Sequence, residues 1–149
     1  MKLKFLFGFL ILFVLLAFVQ ASDDLENADY FENSTDISLG DFNFTIPEGF
    51  GLNGSAQIKE YDDGRLILSN SYIDNESDVL TISVNERGEN YLIITDYTPE
   101  DVEYDKVSIN NHSGVKYRME NSSYFIYFEN GYVISIQAPN DDYFEEIIH

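Results

Sequence analysis

Carboxylates are the most abundant reactive groups in this chain, in which 27 Asp and Glu stand against eight Lys and Arg, with no cysteine. Acids gather in three short segments: Asp62-Asp63-Gly64, Asp74-Asn75-Glu76-Ser77-Asp78, and Asp141-Asp142 with Glu145-Glu146. Ca²⁺ is bound by oxygen clusters of this kind, so the middle segment predicts a calcium site of Asp74, Glu76 and Asp78. That segment lacks the glycine and the distal glutamate of an EF-hand loop. Ordinary turn chemistry explains the same residues without a metal, and both interpretations stay open.

The sequence contains few residues that could carry out nucleophilic catalysis. The histidines are His112, in a polar turn, and His149, and no Gly-x-Ser-x-Gly motif occurs. Without cysteine there is neither a thiol nucleophile nor a redox pair, and two imidazoles do not make a histidine-based zinc site. Paired carboxylates could hydrolyse glycosides, but so acidic a chain contains close pairs by chance. We therefore expect no enzymatic activity, with an exported hydrolase as the distant alternative.

Aromatic residues indicate a second kind of site. Asn130-Gly131 predicts a type I′ hairpin turn, which puts Glu129 opposite Tyr132 and fixes the register of both strands. One face of the hairpin is then apolar and predicts core: Phe125, Tyr127, Ile134 and Ile136. The other face carries Tyr124, Ile126 and Phe128, which would form a platform for a sugar or peptide if exposed. Tyrosine is also common in strands that bind nothing.

Glycan acceptor motifs are unusually dense. Asn-x-Ser/Thr occurs at six positions: Asn33, Asn43, Asn53, Asn75, Asn111 and Asn121. Random placement of the chain's Asn, Ser and Thr would give about one or two such motifs. A preference for Asn and Ser in turns would also raise the number.

The N-terminal segment predicts export. Lys2 and Lys4 precede an uncharged apolar run from Phe5 to Val19, and Val19-Gln20-Ala21 suits a cleavage site. Residues 1–21 are therefore a predicted signal peptide, with a retained N-terminal anchor as the alternative. Residues 22–40 are acidic and predict a flexible tether, and residues 41–149 form the predicted domain.

Short alternating runs between Phe42 and Tyr72, and from Val79 to Thr95, predict hairpin-linked strands. Thr98-Pro99-Glu100-Asp101 carries the signals of a helix start, so we expect a short helix near 98–104. Pro139 and the acids after it predict a C-terminal helix from about residue 140, with Phe144, Ile147 and Ile148 packing inward. The predicted fold class is α+β, a single mostly antiparallel sheet with both helices.

The motif Phe-x-Phe-x-Ile-Pro-x-Gly-Phe within Asp41 to Phe50, together with the aromatic hairpin and closing helix from Tyr124 to Ile148, resembles the PsbP-like fold. It also resembles small secreted archaeal proteins of unknown function. The resemblance implies an accessory or binding module and transfers no site residues.

The expected function is thus an exported, acidic, non-enzymatic binding or structural module at the cell surface or secreted. Its partner would be an envelope protein or a glycan. A calcium-dependent binding or adhesion domain is the alternative, and otherwise no cofactor is expected. The charge of −19 disfavours nucleic acid, and membrane attachment would require residues 1–21 to be retained. Export without cysteine suggests an archaeal envelope.

Overall fold

Strands dominate the computed structural model, which describes residues 30–60, 65–86 and 98–149. The strands of these ranges are β1 (Thr35–Leu39), β2 (Phe42–Ile46), β3 (Gly51–Leu52), β4 (Gln57–Glu60), β5 (Leu66–Ile73), β6 (Val79–Glu86), β7 (Tyr104–Ile109), β8 (His112–Met119), β9 (Ser122–Glu129) and β10 (Tyr132–Ala138). One helix, α1 (Tyr143–Ile147), follows them. No helix in the described ranges has the length and hydropathy needed to cross a membrane. The predicted signal peptide, the acids of 62–64 and the predicted strand at 91–95 lie outside these ranges.

Among the described residues, the main sheet is antiparallel and has eight strands in the order β3-β5-β6-β10-β9-β8-β7, with β4 also paired to β5. The strands β1 and β2 form a separate two-stranded sheet. The predicted antiparallel sheet and C-terminal helix are therefore confirmed, whereas the prediction of a single sheet is wrong.

The β1–β2 hairpin corrects the predicted tether. Residues 35–39 were expected to be flexible, but they pair with β2 in register from Thr35↔Ile46 to Leu39↔Phe42. Ile37 is half-buried and Leu39 is buried. Ile37 and Leu39 alternate with polar residues before the short turn at Gly40-Asp41, and this pattern is a hairpin signal. The acidic residues around them favoured the incorrect prediction of a flexible tether.

The β9–β10 hairpin is confirmed in full. Asn130 and Gly131 have φ values of 49° and 87°, as a type I′ turn requires. Pairing runs from Glu129↔Tyr132 through Phe125↔Ile136. Phe125, Ile134 and Ile136 are completely buried.

The main core lies between one face of the large sheet and a cover made by the β1–β2 hairpin and α1. The hairpin supplies Phe44 and Ile46, and α1 supplies Phe144 and Ile147, all at most 1% exposed. Phe125 packs against Phe144 with ring centroids 5.9 Å apart. The hairpin and α1 thus cover the centre of this face of the sheet, and the corner formed by β7 and β8 lies beyond them.

The predicted helix near 98–104 is wrong. Residues 99–102 form a turn closed by a hydrogen bond from the Val102 N–H to the Pro99 carbonyl (3.4 Å). Asp101 has φ of 70°, outside the helical region, and β7 begins at Tyr104. Proline and acids favour turns as well as helix starts, and here the strand that follows leaves no room for a helix.

Candidate functional site

A cleft of about 550 Å³ lies at the corner where β7 begins and β8 ends. Its wall consists of residues 101–105, residues 116–118 of β8, and Asp141, just before α1. The turn at 99–102, the edge strand and the segment entering the helix therefore meet at one place. Sequence reasoning did not find this site, because its residues come from distant parts of the chain.

Lys116 lies at the centre of the cleft's charges. The sheet pairs it with Phe125 on one side and Asp105 on the other, so all three lie on the face that α1 covers. The Lys116 ammonium donates to the Asp141 carboxylate at 2.5 Å. This hydrogen bond, reinforced by the positive charges of Lys116 and Arg118, lowers the pKa of Asp141. Asp141 therefore stays ionised and cannot serve as a general acid near neutral pH.

Arg118 is the exposed cation of the cleft. It lies two residues along β8 from Lys116 and so on the same face. Within the described ranges Arg118 forms no ion pair, in contrast to Lys116. A guanidinium presents donors that match a carboxylate or phosphate in bidentate geometry. Arg118 is thus placed to receive an anionic group.

The predicted calcium site is not assembled. Across the described residues, no group of three or more His, Asp and Glu could hold a metal ion. The Asp74 carboxylate instead accepts the backbone N–H groups of Glu76 (2.9 Å) and Asp78 (2.8 Å). Glu76 and Asp78 are exposed at the turn between β5 and β6. Asp74 therefore acts as the hydrogen-bond acceptor that fixes this turn.

The predicted aromatic platform is wrong for two of its three residues. Tyr124 and Ile126 are only 9% and 3% exposed, and Phe128 is half-buried. They belong to a second apolar cluster on the other face of the sheet, in which the rings of Tyr117 and Tyr124 stack at 4.9 Å. Burial raises the pKa of both tyrosines. The alternation of the strand was interpreted correctly, but it does not show whether the second face is covered.

A hydroxyl, an imidazole and a carboxylate meet at Thr45, His149 and Asp36, a grouping that the sequence does not suggest. The buried Thr45 hydroxyl donates to Asp36 Oδ1 (2.7 Å) and contacts His149 Nε2. Asp36 lies 3.9 Å from the same nitrogen. A catalytic triad needs the carboxylate on the opposite ring nitrogen, so that the imidazole can take the hydroxyl proton. Here the carboxylate takes the hydroxyl hydrogen bond itself, and the group fastens His149 to the β1–β2 hairpin.

The other histidine has a similar structural role. His112 Nδ1 lies 3.3 Å from Glu129, its Nε2 contacts the His149 carbonyl at 3.0 Å, and its ring packs on Tyr127. Neighbouring Asn110 donates to the carbonyls of Glu145 and Ile148. Both imidazoles thus hold the C-terminal segment against the sheet.

The glycan acceptor motifs lie at the surface. Five of the six asparagines are exposed: Asn33, Asn43, Asn75, Asn111 and Asn121. Asn53 is half-buried, and its backbone N–H donates to the Ser71 carbonyl (2.8 Å).

Comparison with known proteins assigns a family. Neither the curated proteins nor the solved structures give a match, and no family match supports the resemblance to the PsbP-like fold. Residues 43–149, from β2 to His149, match the model of a domain of unknown function, DUF4367. This range contains the cleft and most of the chain. The chain therefore belongs to the DUF4367 family.

Proposed function

We propose that this domain is an exported, non-enzymatic binding module of the cell exterior whose ligand occupies the cleft between β7, β8 and Asp141. The observation that carries the proposal is the position of the cations. Although the chain has a net charge of −19, Lys116 and Arg118 both line this one cleft. Surface acids are explained by solubility alone, whereas two cations among the four carboxylates of one concave site favour a ligand that carries an anionic group but is not itself strongly anionic.

The other charged residues of the cleft restrict the kinds of ligand that it can bind. Lys116 is neutralised by Asp141, so Arg118 supplies the anion contact. Asp101, Glu103 and Asp105 line the same cleft and would repel a polyanion. A ligand with one carboxylate among neutral or cationic groups fits this distribution, as in a peptide segment or an acidic sugar of the envelope. Such a distribution of charge disfavours nucleic acid as the ligand.

The non-enzymatic character rests on how the reactive side chains are used. His112 and His149 secure the C-terminal segment, and Asp141 is held in its ionised form by Lys116. The cleft thus provides charge and shape rather than a base poised beside a nucleophile.

A titration followed by amide NMR tests the proposal. The probes are N-acetylglycine, for a peptide carboxylate, and glucuronate, for an acidic glycan. We expect saturable shifts confined to residues 101–105, 116–118 and 141 with at least one probe. Arg118→Gln should abolish them, and Lys106→Gln, an exposed cation on the neighbouring strand, should preserve them. Equal shifts in Arg118→Gln, or shifts spread over the surface, would contradict the assignment of the cleft.

A further inference from the structure

We propose that Asn75 and Asn111 are the N-glycan acceptor sites of the folded domain. The proposal rests on the export proposed above, since the modification takes place outside the cytoplasm. It goes further by separating two of the six motifs from the rest. The separation depends on the accessibility of two groups in each motif, the asparagine carboxamide and the hydroxyl two residues later.

Both groups matter because the acceptor motif is defined by both. A transferase acting on a folded protein must reach the carboxamide that it modifies and the hydroxyl that identifies the motif. An exposed asparagine followed by a buried Ser or Thr therefore presents an incomplete motif. The structure contains both kinds.

Asn111 presents a complete motif. It occupies the two-residue turn between β7 and β8, where Asn110 and Asn111 have φ values of 46° and 70°. Both Asn111 and Ser113 are exposed. The carboxamide of Asn110 is bound to the carbonyls of Glu145 and Ile148, which holds the base of the turn and leaves Asn111 at its tip.

Asn75 presents the second complete motif. It lies in the turn between β5 and β6, and both Asn75 and Ser77 are exposed. The Asp74 carboxylate accepts hydrogen bonds from the backbone of Glu76 and Asp78. These hydrogen bonds fix the backbone of the turn. The acidic residues of the predicted metal site therefore hold Asn75 in an exposed position.

The other motifs are obstructed at one or both groups. After Asn43, the Thr45 side chain is buried and its hydroxyl donates to Asp36. After Asn121, Ser123 is completely buried. Asn53 is itself half-buried, and the half-buried Thr35 donates its hydroxyl to the carbonyl of Asn33.

The chemical step is a substitution at a sugar carbon. The donor is an oligosaccharide joined through its anomeric carbon to a polyprenyl phosphate or pyrophosphate. The carboxamide nitrogen of Asn75 or Asn111 forms the new bond to that carbon. The carbon–oxygen bond breaks, the lipid phosphate leaves with the electron pair, and the nitrogen's proton passes to a base of the transferase. No oxidant or reductant is required.

The test compares the folded and the denatured chain as substrates of one purified oligosaccharyltransferase with its lipid-linked donor, and it does not depend on export. An acceptor peptide verifies that the enzyme is active. Mass spectrometry of the folded chain should show glycan at Asn75 and Asn111 and at least tenfold less at Asn43 and Asn121. The denatured chain should lose this discrimination.

Matched variants locate the sites. Ser77→Ala and Ser113→Ala should each remove one glycan while keeping the asparagine, and Ser113→Thr should restore the acceptor. Asn43→Gln and Asn121→Gln should change nothing in the folded chain. Equal modification of Asn43 or Asn121, or a folded chain unmodified at Asn75 and Asn111, would overturn the proposal. A denatured chain that is likewise unmodified would overturn it as well.

Discussion

Replacing Gly114 by alanine tests how closely β8 and β9 approach each other. A Cβ at this position would lie 2.7 and 2.9 Å from two ring carbons of Phe125, and closer still to the carbonyl oxygen of Ile126. Phe125 is completely buried and packs against Phe144, so its ring has little space to move into. The carbonyl belongs to the β9 backbone and cannot rotate away.

Two opposing effects set the magnitude. Removing a glycine restricts the unfolded chain and stabilises by about 0.4–1 kcal/mol where the native conformation tolerates the change. Overpacking a filled core costs about 1–3 kcal/mol, and the rigid carbonyl favours the upper part of that range. We therefore expect Gly114→Ala to lower the free energy of unfolding by about 2 kcal/mol.

Urea denaturation followed by far-UV circular dichroism measures this change, since the chain has no tryptophan. Ser113→Ala, at the exposed neighbouring position, is the control and should stay within about 0.5 kcal/mol. In a double-mutant cycle, Phe125→Leu should offset part of the Gly114→Ala loss, with a coupling of about 0.5–1 kcal/mol. A Gly114→Ala protein as stable as the unmodified one would refute the close approach.

Three further predictions concern charge, processing and metal. Because Lys116 lowers the folded-state pKa of Asp141, the unmodified protein should have a higher free energy of unfolding than Asp141→Asn. This difference should be complete above pH 3.8, the pKa of Asp141 in the unfolded chain. It should shrink as the pH falls toward the lower folded-state pKa. Urea unfolding at pH 7 and pH 3 checks this, and an advantage that grows at pH 3 would contradict it. Intact-mass analysis of native protein should find Ser22 as the first residue, whereas retention of residues 1–21 would indicate an anchor. Ca²⁺ should raise the melting temperature no more than Mg²⁺ at equal ionic strength, and a saturable Ca²⁺-specific rise lost in Asp74→Asn would favour the calcium module.

Local sequence signals predicted the features that depend on neighbouring residues. Asn130-Gly131 predicted a hairpin because this dipeptide strongly favours the positive φ values that a type I′ turn requires. The inward stripe of the C-terminal helix was confirmed at Phe144 and Ile147. In each case, the residues that determine the local structure lie within a few positions of one another in the sequence.

Features that depend on distant contacts could not be predicted in this way. The alternation of Tyr124 and Ile126 shows that they share a face, but their burial depends on what covers that face. Thr98 and Pro99 are compatible with a turn or a helix, and the start of β7 decides between them. The cleft joins residues 101–105 to Asp141, and no local pattern links these segments.

The anchoring of the last residues imposes an order on folding. Ile148 pairs with Phe44, and His149 contacts Thr45, so β2 finds its final partners more than a hundred positions later in the chain. Contacts of such long sequence separation slow folding, because a large loop must close before they form. The β1–β2 hairpin joins neighbouring residues, but its cover over the core is complete only when residues 148 and 149 reach β2.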